Sequence, residues 1–154
     1  MGVVERKLDL AISVESALAD VYGLLSGDSE HNPGLLKYLS RVERSHAAFL
    51  AIVATYFRRG ELGRLDVIDV SEDELKAALW SALALKAGIE RREVSLEAAL
   101  REALSLEERT CSRFLSSLEE REKDSAALRR LLPIIFDIDE HVKALKEALG
   151  KSDG

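Results

Sequence analysis

The chain has 154 residues, of which 47% are hydrophobic and 32% charged, and its formal net charge at pH 7 is −6. A chain of this length can bury a sizeable core but is too short for two typical domains, so we expect one domain over residues 1–154. The acidic balance, without a cluster of Lys and Arg, argues against nucleic-acid binding. The single cysteine excludes a disulfide within the chain and a zinc ribbon.

The sequence also argues against a membrane protein. Residues 1–9 carry charges where a signal peptide needs an apolar run, and no stretch approaches the roughly 18 uninterrupted apolar residues of a membrane span. We therefore expect a cytoplasmic protein. One asparagine and no glutamine, beside abundant Glu, Lys and Arg, form a composition typical of thermophiles.

Helical periodicity runs through every long stretch, so the predicted fold class is all-α. Only two prolines and nine glycines interrupt the chain, and no alternating pattern typical of strands occurs. Start and stop signals predict helices over about 4–25, 35–58, 72–87, 95–120 and 125–149.

The predicted N-caps are Asn32, Ser71 and Ser95, and the predicted stop glycines are Gly60, Gly88 and Gly150. Ser71 forms a predicted capping box with Glu74, and Pro33 suits a first helical position. Pro133 should kink the last helix or delay its start.

The connection between the helices at 35–58 and 95–120 is long and contains a short helix of its own. An up-down-up-down bundle needs only short loops, whereas a ferritin-like bundle places one long crossover between its second and third long helices. We therefore predict a ferritin-like four-helix bundle with a long crossover connection containing a short extra helix.

Two polar residues occupy core positions in the second predicted helix. Its apolar stripe consists of Leu36, Leu39, Glu43, His46, Leu50, Val53 and Phe57. Glu43 and His46 are three residues apart, so their side chains project side by side. A Glu–His pair that points into a bundle is the unit of carboxylate-bridged di-metal sites. The alternative is a Glu–His hydrogen bond at the edge of a core.

The pattern repeats along the chain. Glu15 and Glu107 are lone polar residues in the stripes of the first helix and of the helix at 95–120, and an aromatic residue follows each of them by seven positions. His46 and His141 fall in the helices that come next in each predicted hairpin. Each hairpin therefore carries a core glutamate followed by a core histidine, which indicates an internal repeat.

Three buried glutamates and two histidines need a compensating charge. A carboxylate buried without a partner costs several kcal/mol or takes up a proton. A divalent cation among these side chains would remove that cost. Mixed oxygen and imidazole donors suit iron or manganese better than magnesium, and zinc is also open.

These motifs resemble the rubrerythrin-like branch of the ferritin-like superfamily over nearly the whole chain. The matching residues are Ala-x-x-x-Glu at 11–15 with Tyr22 seven positions on, Glu-x-x-His-Ala at 43–47, and Ala-x-x-x-Glu at 103–107. The resemblance implies a di-iron centre that reduces peroxide or handles dioxygen and iron. It also implies ligand roles: terminal for Glu15 and Glu107, bridging for Glu43, and one metal each for His46 and His141.

One departure from the family concerns the second bridging carboxylate. The family carries a second Glu-x-x-His, but Ile138 stands three residues before His141. Asp137 lies about 40° further round the helix and could substitute for the glutamate. Without Asp137, three carboxylates facing two divalent cations leave about one positive charge uncompensated. That would favour a mononuclear site, a weakly held second metal or an external anion.

The other departure is that no rubredoxin domain follows, since Cys111 alone cannot build its four-cysteine iron site. Any electron donor would then be a separate protein, and the family's habit of dimerising implies a homodimer. Cys111 itself is expected to be a small buried hydrophobe. Tyr22 is expected either to hydrogen-bond a ligand carboxylate or to fill the core.

Two functions follow from this pattern. The first is a metal-dependent redox protein that binds iron or manganese and reacts with peroxide or dioxygen, or handles iron. The second is a helical scaffold with a decayed metal site, kept for dimerisation or partner binding. Ile138 favours the scaffold, whereas Glu15, Glu43, His46 and Glu107 at core positions favour the redox protein.

Overall fold

The computed structural model describes residues 2–28, 33–63, 68–121 and 125–131, together with the single residues 143, 146, 147, 149 and 150. This part of the chain is all-helical and contains no strand, as the periodicity predicts. Its elements are α1 (Val3–Asp28), α2 (Pro33–Arg58), α3 (Glu72–Glu90), α4 (Leu96–Leu106), a π-helical segment (Glu107–Cys111), α5 (Ser112–Glu120) and α6 (Ala126–Leu131).

The first two helices form an antiparallel hairpin. Arg58 at the end of α2 pairs with Asp9 near the start of α1, at 3.3 Å between Nη2 and Oδ1. Arg44 in the middle of α2 lies 3.6 Å from Asp20 further along α1. The predicted stripe of α1 is buried throughout, and the stripe of α2 is buried except for the half-buried Phe57. The hairpin therefore packs along the faces that the 3.6-residue period selects.

The third helix runs in the same direction as α1. Glu72 at its start accepts a hydrogen bond from Arg6 Nε at 2.9 Å, and Lys86 near its end donates to Asp20 at 3.2 Å. The chain then reverses, since Arg113 in α5 reaches back to Glu74 at 3.0 Å. As a result α2 and the helix built from α4 and α5 point the same way, and α3 packs along α1.

Two of the predicted helix starts are confirmed by their capping contacts. Ser71 Oγ accepts from the backbone N–H of Glu74 at 3.0 Å, and the Glu74 carboxylate accepts from the backbone N–H of Ser71 at 2.7 Å. Ser95 Oγ accepts from the backbone N–H of Ala98 at 3.1 Å. Each side chain satisfies one of the N–H groups that a helix start leaves without a partner.

The end of α3 differs from the prediction. Gly88 does not stop the helix, which continues to Glu90. The backbone N–H groups of Arg92 and Glu93 instead return to the carbonyls of Ile89 and Gly88, and Arg92 has a φ of 59°. This is a Schellman ending whose left-handed residue is an arginine rather than a glycine. Gly88 is needed for another reason, because a Cβ there would stand 2.7 Å from Val94 Cγ2.

The predicted continuous helix at 95–120 contains the π-helical segment. The backbone N–H of Ser112 donates to the carbonyl of Glu107, five residues earlier, instead of four. The buried side chains of this segment are Glu107, Thr110 and Cys111. A π-helical turn inserted in an α-helix is rare and occurs mostly at functional sites.

The apolar core consists of two clusters along the helices. One holds Leu18, Tyr22, Leu39, Ala82 and Leu106, and the other holds Leu8, Phe49, Leu50, Leu75 and Phe114. Between their levels in each long helix lie the buried polar residues Glu15, Glu43, His46 and Glu107. A layer of charge-bearing side chains therefore separates two apolar ends of the core.

The last predicted helix is described only in part. Residues Ala126–Leu131 are helical, so a helix does begin near residue 125. Pro133, Asp137, Ile138 and His141 lie outside the described residues. None of the described helices is long and apolar enough to span a bilayer.

The left-handed Arg92 gives a stability prediction. Replacing it by glycine removes the clash of a Cβ at positive φ, so Arg92→Gly should raise the free energy of unfolding by about 1 kcal/mol. Chemical denaturation followed by circular dichroism would measure the change. The matched control is Arg91→Gly, because Arg91 has a right-handed φ of −86°. Equal effects of the two substitutions would contradict the assignment.

Candidate metal centre

Four charge-bearing side chains meet in the layer between the two apolar clusters. Glu15 comes from α1, Glu43 and His46 come from α2, and Glu107 is the first residue of the π-helical segment. Their exposed fractions are 1%, 0%, 1% and 0%. All four were predicted from the sequence as core residues, and that placement is confirmed.

Three of these residues converge on one point. Glu15, Glu43 and His46 each offer a ligand atom, and these atoms lie within 4.8 Å of one another. His46 Nδ1 lies 3.5 Å from Glu15 Oε2 and 3.9 Å from Glu43 Oε2. The spacing of three between Glu43 and His46 places both on one face of α2, and the antiparallel packing of α1 brings Glu15 opposite them.

The donor spacing fits a cation. Two ligands bound at about 2.1 Å to one ion are about 3.0 Å apart at right angles and about 4.2 Å apart when opposite. Both distances from His46 Nδ1 fall between these limits. Two carboxylates and an imidazole are also donors that iron, manganese and zinc accept. Small rotations of the side chains would suffice to close the site around a divalent ion.

Glu43 lies at the electrostatic centre of the layer. Burial raises its pKa well above the ordinary value, and the negative charges of Glu107 and then Glu15 raise it further. Without a cation these neighbouring charges and the burial favour the protonated form of Glu43. A bound cation would reduce the repulsion among the carboxylates, as a proton on Glu43 does.

Glu107 is oriented by a tyrosine from another helix. Tyr22, fully buried in α1, donates a hydrogen bond from its hydroxyl to Glu107 Oε1 at 2.9 Å. Burial, followed by the charges of Glu107 and Glu43, raises the pKa of Tyr22 well above its usual range, so the phenol keeps its proton. Tyr22 fills both roles predicted for it: its ring packs in an apolar core cluster, and its hydroxyl donates to a candidate ligand.

The π-helical segment brings two further residues to the layer. Cys111 is buried, and its thiol pKa is raised by burial and by the charges of Glu15 and Glu107. Thr110 is buried beside it, with Thr110 Oγ1 3.9 Å from Cys111 Sγ. Cys111 is thus a small buried residue, as predicted, but one that neighbours the carboxylates.

Sequence reasoning missed the role of Thr110 and the π-helical turn. Thr110 donates its hydroxyl proton to the carbonyl of Leu106, within the same helix. A threonine hydroxyl that bonds back to a carbonyl four residues earlier often accompanies a bend in a helix. No residue pattern in 106–112 distinguishes this turn from an ordinary α-helical one.

The remaining predicted ligands do not join the triad in the described structure. Glu107 stands next to Glu43 but not in the group of three converging donors. His141 and Asp137 lie outside the described residues. The described part of the chain therefore holds one compact three-donor group with a fourth carboxylate beside it.

Comparison with known proteins does not add to this picture. No family model, no curated protein and no solved structure matches the chain.

The raised pKa of Glu43 predicts how stability depends on pH in the metal-free protein. Because the folded state binds the Glu43 proton more tightly than the unfolded state does, this group stabilises the fold most at low pH. Its contribution falls as pH rises from the unfolded pKa toward the folded one. Glu43→Gln mimics the protonated form, so the metal-free variant should be more stable than the parent at neutral pH.

The stability difference between Glu43→Gln and the parent should widen with pH, by up to about 1.4 kcal/mol per pH unit for one linked proton. Urea denaturation at several pH values above 5, in the presence of chelator, would measure it. Glu90→Gln is the control, since Glu90 is exposed at the end of α3. A difference that does not change with pH would show that Glu43 is ionised in the folded protein.

Proposed function

We propose that the chain is a metal-binding protein of the rubrerythrin-like, ferritin-like type, with a redox role toward peroxide or dioxygen or in iron handling. The observation that carries the proposal is the buried convergence of Glu15, Glu43 and His46. Structural ion pairs of this kind are rarely placed inside a core, because removing the charges from water costs more than their attraction returns. A bound cation would offset the free-energy cost of burying these charges.

Iron is the metal we propose, with manganese or zinc as the other choices open to the same donors. The first ion would be held by Glu15, Glu43 and His46. A second would lie between Glu43 and Glu107 and would use His141, with Asp137 in place of the glutamate that the family carries at Ile138. The proposed arrangement would be a ferritin-like four-helix bundle, with the predicted helix at 125–149 as its fourth helix.

The residues of this chain would divide the work around the metal. Bound iron would supply the electrons that a peroxide or dioxygen molecule accepts. Glu43 would release its proton when the cation enters and could take it back when the charge of the centre falls. Tyr22 would hold Glu107 in one orientation through its 2.9 Å hydrogen bond. The apolar clusters above and below would keep bulk water away.

Partners would complete the reaction. A separate protein would have to deliver electrons, and the protein would act as a cytoplasmic homodimer. The exposed side of α3 offers apolar surface, since Trp80 is 74% and Leu83 is 43% exposed.

A non-catalytic scaffold is the second candidate, and Ile138 is the residue that favours it.

Metal content is the direct test. Protein purified without chelator and reconstituted anaerobically with ferrous iron should hold close to two metal ions per chain. Glu43→Gln should lower metal affinity by about 100-fold or more, because a ligand loses its charge. Glu90→Gln should bind as the parent does. Elemental analysis and competition with a chelator would measure both quantities.

The outcomes separate the two candidate functions. Retention of metal by the parent and loss in Glu43→Gln support the redox protein. A parent that folds but retains no metal after reconstitution leaves the scaffold. One ion per chain would mean that the second site, which depends on His141 and Asp137, does not form.

Metal binding should also release protons. Since Glu43 holds a proton in the metal-free protein, each ion that binds at the triad should displace about one proton, and affinity should rise with pH until Glu43 is ionised. Isothermal titration calorimetry in buffers of different ionisation enthalpy would count the protons. No net release from the parent would show that Glu43 does not ionise when it binds the cation.

A further inference from the structure

A cavity of about 210 Å³ lies between α3 and the helix formed by α4, the π-helical segment and α5. The cavity is open to solvent, since Glu74, Ala77 and Arg109 in its walls are exposed. Its walls are formed by Glu74, Ala77, Ala78, Ser81, Leu106, Arg109, Thr110 and Arg113. It is distinct from the three-donor group of the candidate metal centre, whose residues do not line it.

The inner wall of this cavity is the π-helical segment itself. Thr110 and Leu106 line the cavity and are buried. The flanking residues of the same turn, Glu107 and Cys111, belong to the polar layer, where their charges and contacts involve Glu15, Glu43 and Tyr22. Thr110 touches both sides, since its hydroxyl lies 3.9 Å from Cys111 Sγ. Thr110 therefore connects the cavity wall to Cys111, which neighbours the carboxylates of the candidate metal centre.

The side chains that line the cavity indicate what could pass through it. Its two arginines are both paired with carboxylates: Arg113 lies 3.0 Å from Glu74 and 3.7 Å from Asp69, and Arg109 lies 3.7 Å from Glu102. The cavity therefore carries no excess of positive charge that would favour an anion. The hydroxyls of Ser81 and Thr110 and the small apolar side chains of Ala77 and Ala78 suit a small uncharged molecule with some polarity.

We propose that this cavity is the access route by which a small uncharged oxidant, of the size of dioxygen or hydrogen peroxide, reaches the candidate metal centre. The inference rests on the proposed function, because it gives the triad a reactant. Thr110 is the gate: its hydrogen bond to the carbonyl of Leu106 fixes its rotamer, and rotation about χ1 would open the wall. The longer π-helical turn, closed by Ser112 on Glu107, surrounds this position.

Nitric oxide binding to the anaerobic ferrous protein tests the route. Nitric oxide is an uncharged diatomic molecule close in size to dioxygen, and its association and dissociation can be followed by stopped-flow absorbance. Ala77→Phe places a ring in the mouth of the cavity, on an exposed position of α3 where it should not disturb folding. Ala84→Phe is the matched control, exposed on the same helix two turns further on and not part of the cavity wall.

Blocking the mouth should slow association and dissociation by the same factor, roughly tenfold, and leave the equilibrium affinity unchanged. Ala84→Phe should behave as the parent does. Thr110→Ala, which removes the gate, should speed both steps. Iron content, measured first for every variant, should be the same in all of them, because none of these residues is a proposed ligand.

Two failures can be told apart. If the parent does not retain iron, the proposed function fails and this inference falls with it. If iron is retained and nitric oxide binds, but Ala77→Phe and Ala84→Phe give equal rates, the metal centre stands and the access route is overturned. A change in only one of the two rate constants, and therefore in affinity, would also overturn it, because a route affects both directions of passage equally.

Discussion

The repulsion among buried carboxylates is the constraint on which the rest of this structure depends. Glu15, Glu43 and Glu107 lie in one layer from which water is excluded, with exposed fractions of 1% or less. Burial and the charges of the neighbouring carboxylates raise the pKa of Glu43, so a proton on Glu43 stabilises the metal-free fold. A sequence that needed only a stable bundle would fill this layer with leucine, as it does above and below. In the proposed function, a cation would take the place of that proton.

The surrounding structure holds these charges in place. The two apolar clusters fix α1 and α2 against each other on both sides of the layer, so the ligand atoms cannot move apart without opening the core. Tyr22 adds a donor to Glu107. Helix α3 packs along α1, where its Lys86 pairs with Asp20, the residue that Arg44 of α2 also contacts. Stability supplied by the apolar ends offsets the cost of the polar layer between them.

The site was more predictable than the details of the backbone. Helical spacing alone placed Glu15, Glu43 and His46 at core positions, because a side chain's direction in an α-helix follows from its number in the sequence. The π-helical turn and the Schellman ending at Arg92 were not predictable. Both depend on backbone hydrogen bonds that tertiary packing determines. An arginine in the sequence also does not predict a left-handed backbone conformation, which glycine usually adopts. The prediction that Gly88 ends α3 was also wrong. The absence of a side chain at Gly88 is needed for close packing against Val94, and not for a turn.

Charge balance shows where the number of metal ions is decided. Three carboxylate ligands supply three negative charges, so one bound divalent ion would leave about one negative charge and two would leave about one positive charge. Neither net charge is far from zero. The charges of Glu15, Glu43 and Glu107 therefore do not determine whether one ion or two would bind. A fourth carboxylate would bring the two-ion centre to neutrality, and Asp137 is the candidate in the sequence. In the proposed centre, a second ion would therefore depend on Asp137, whereas the triad would hold the first.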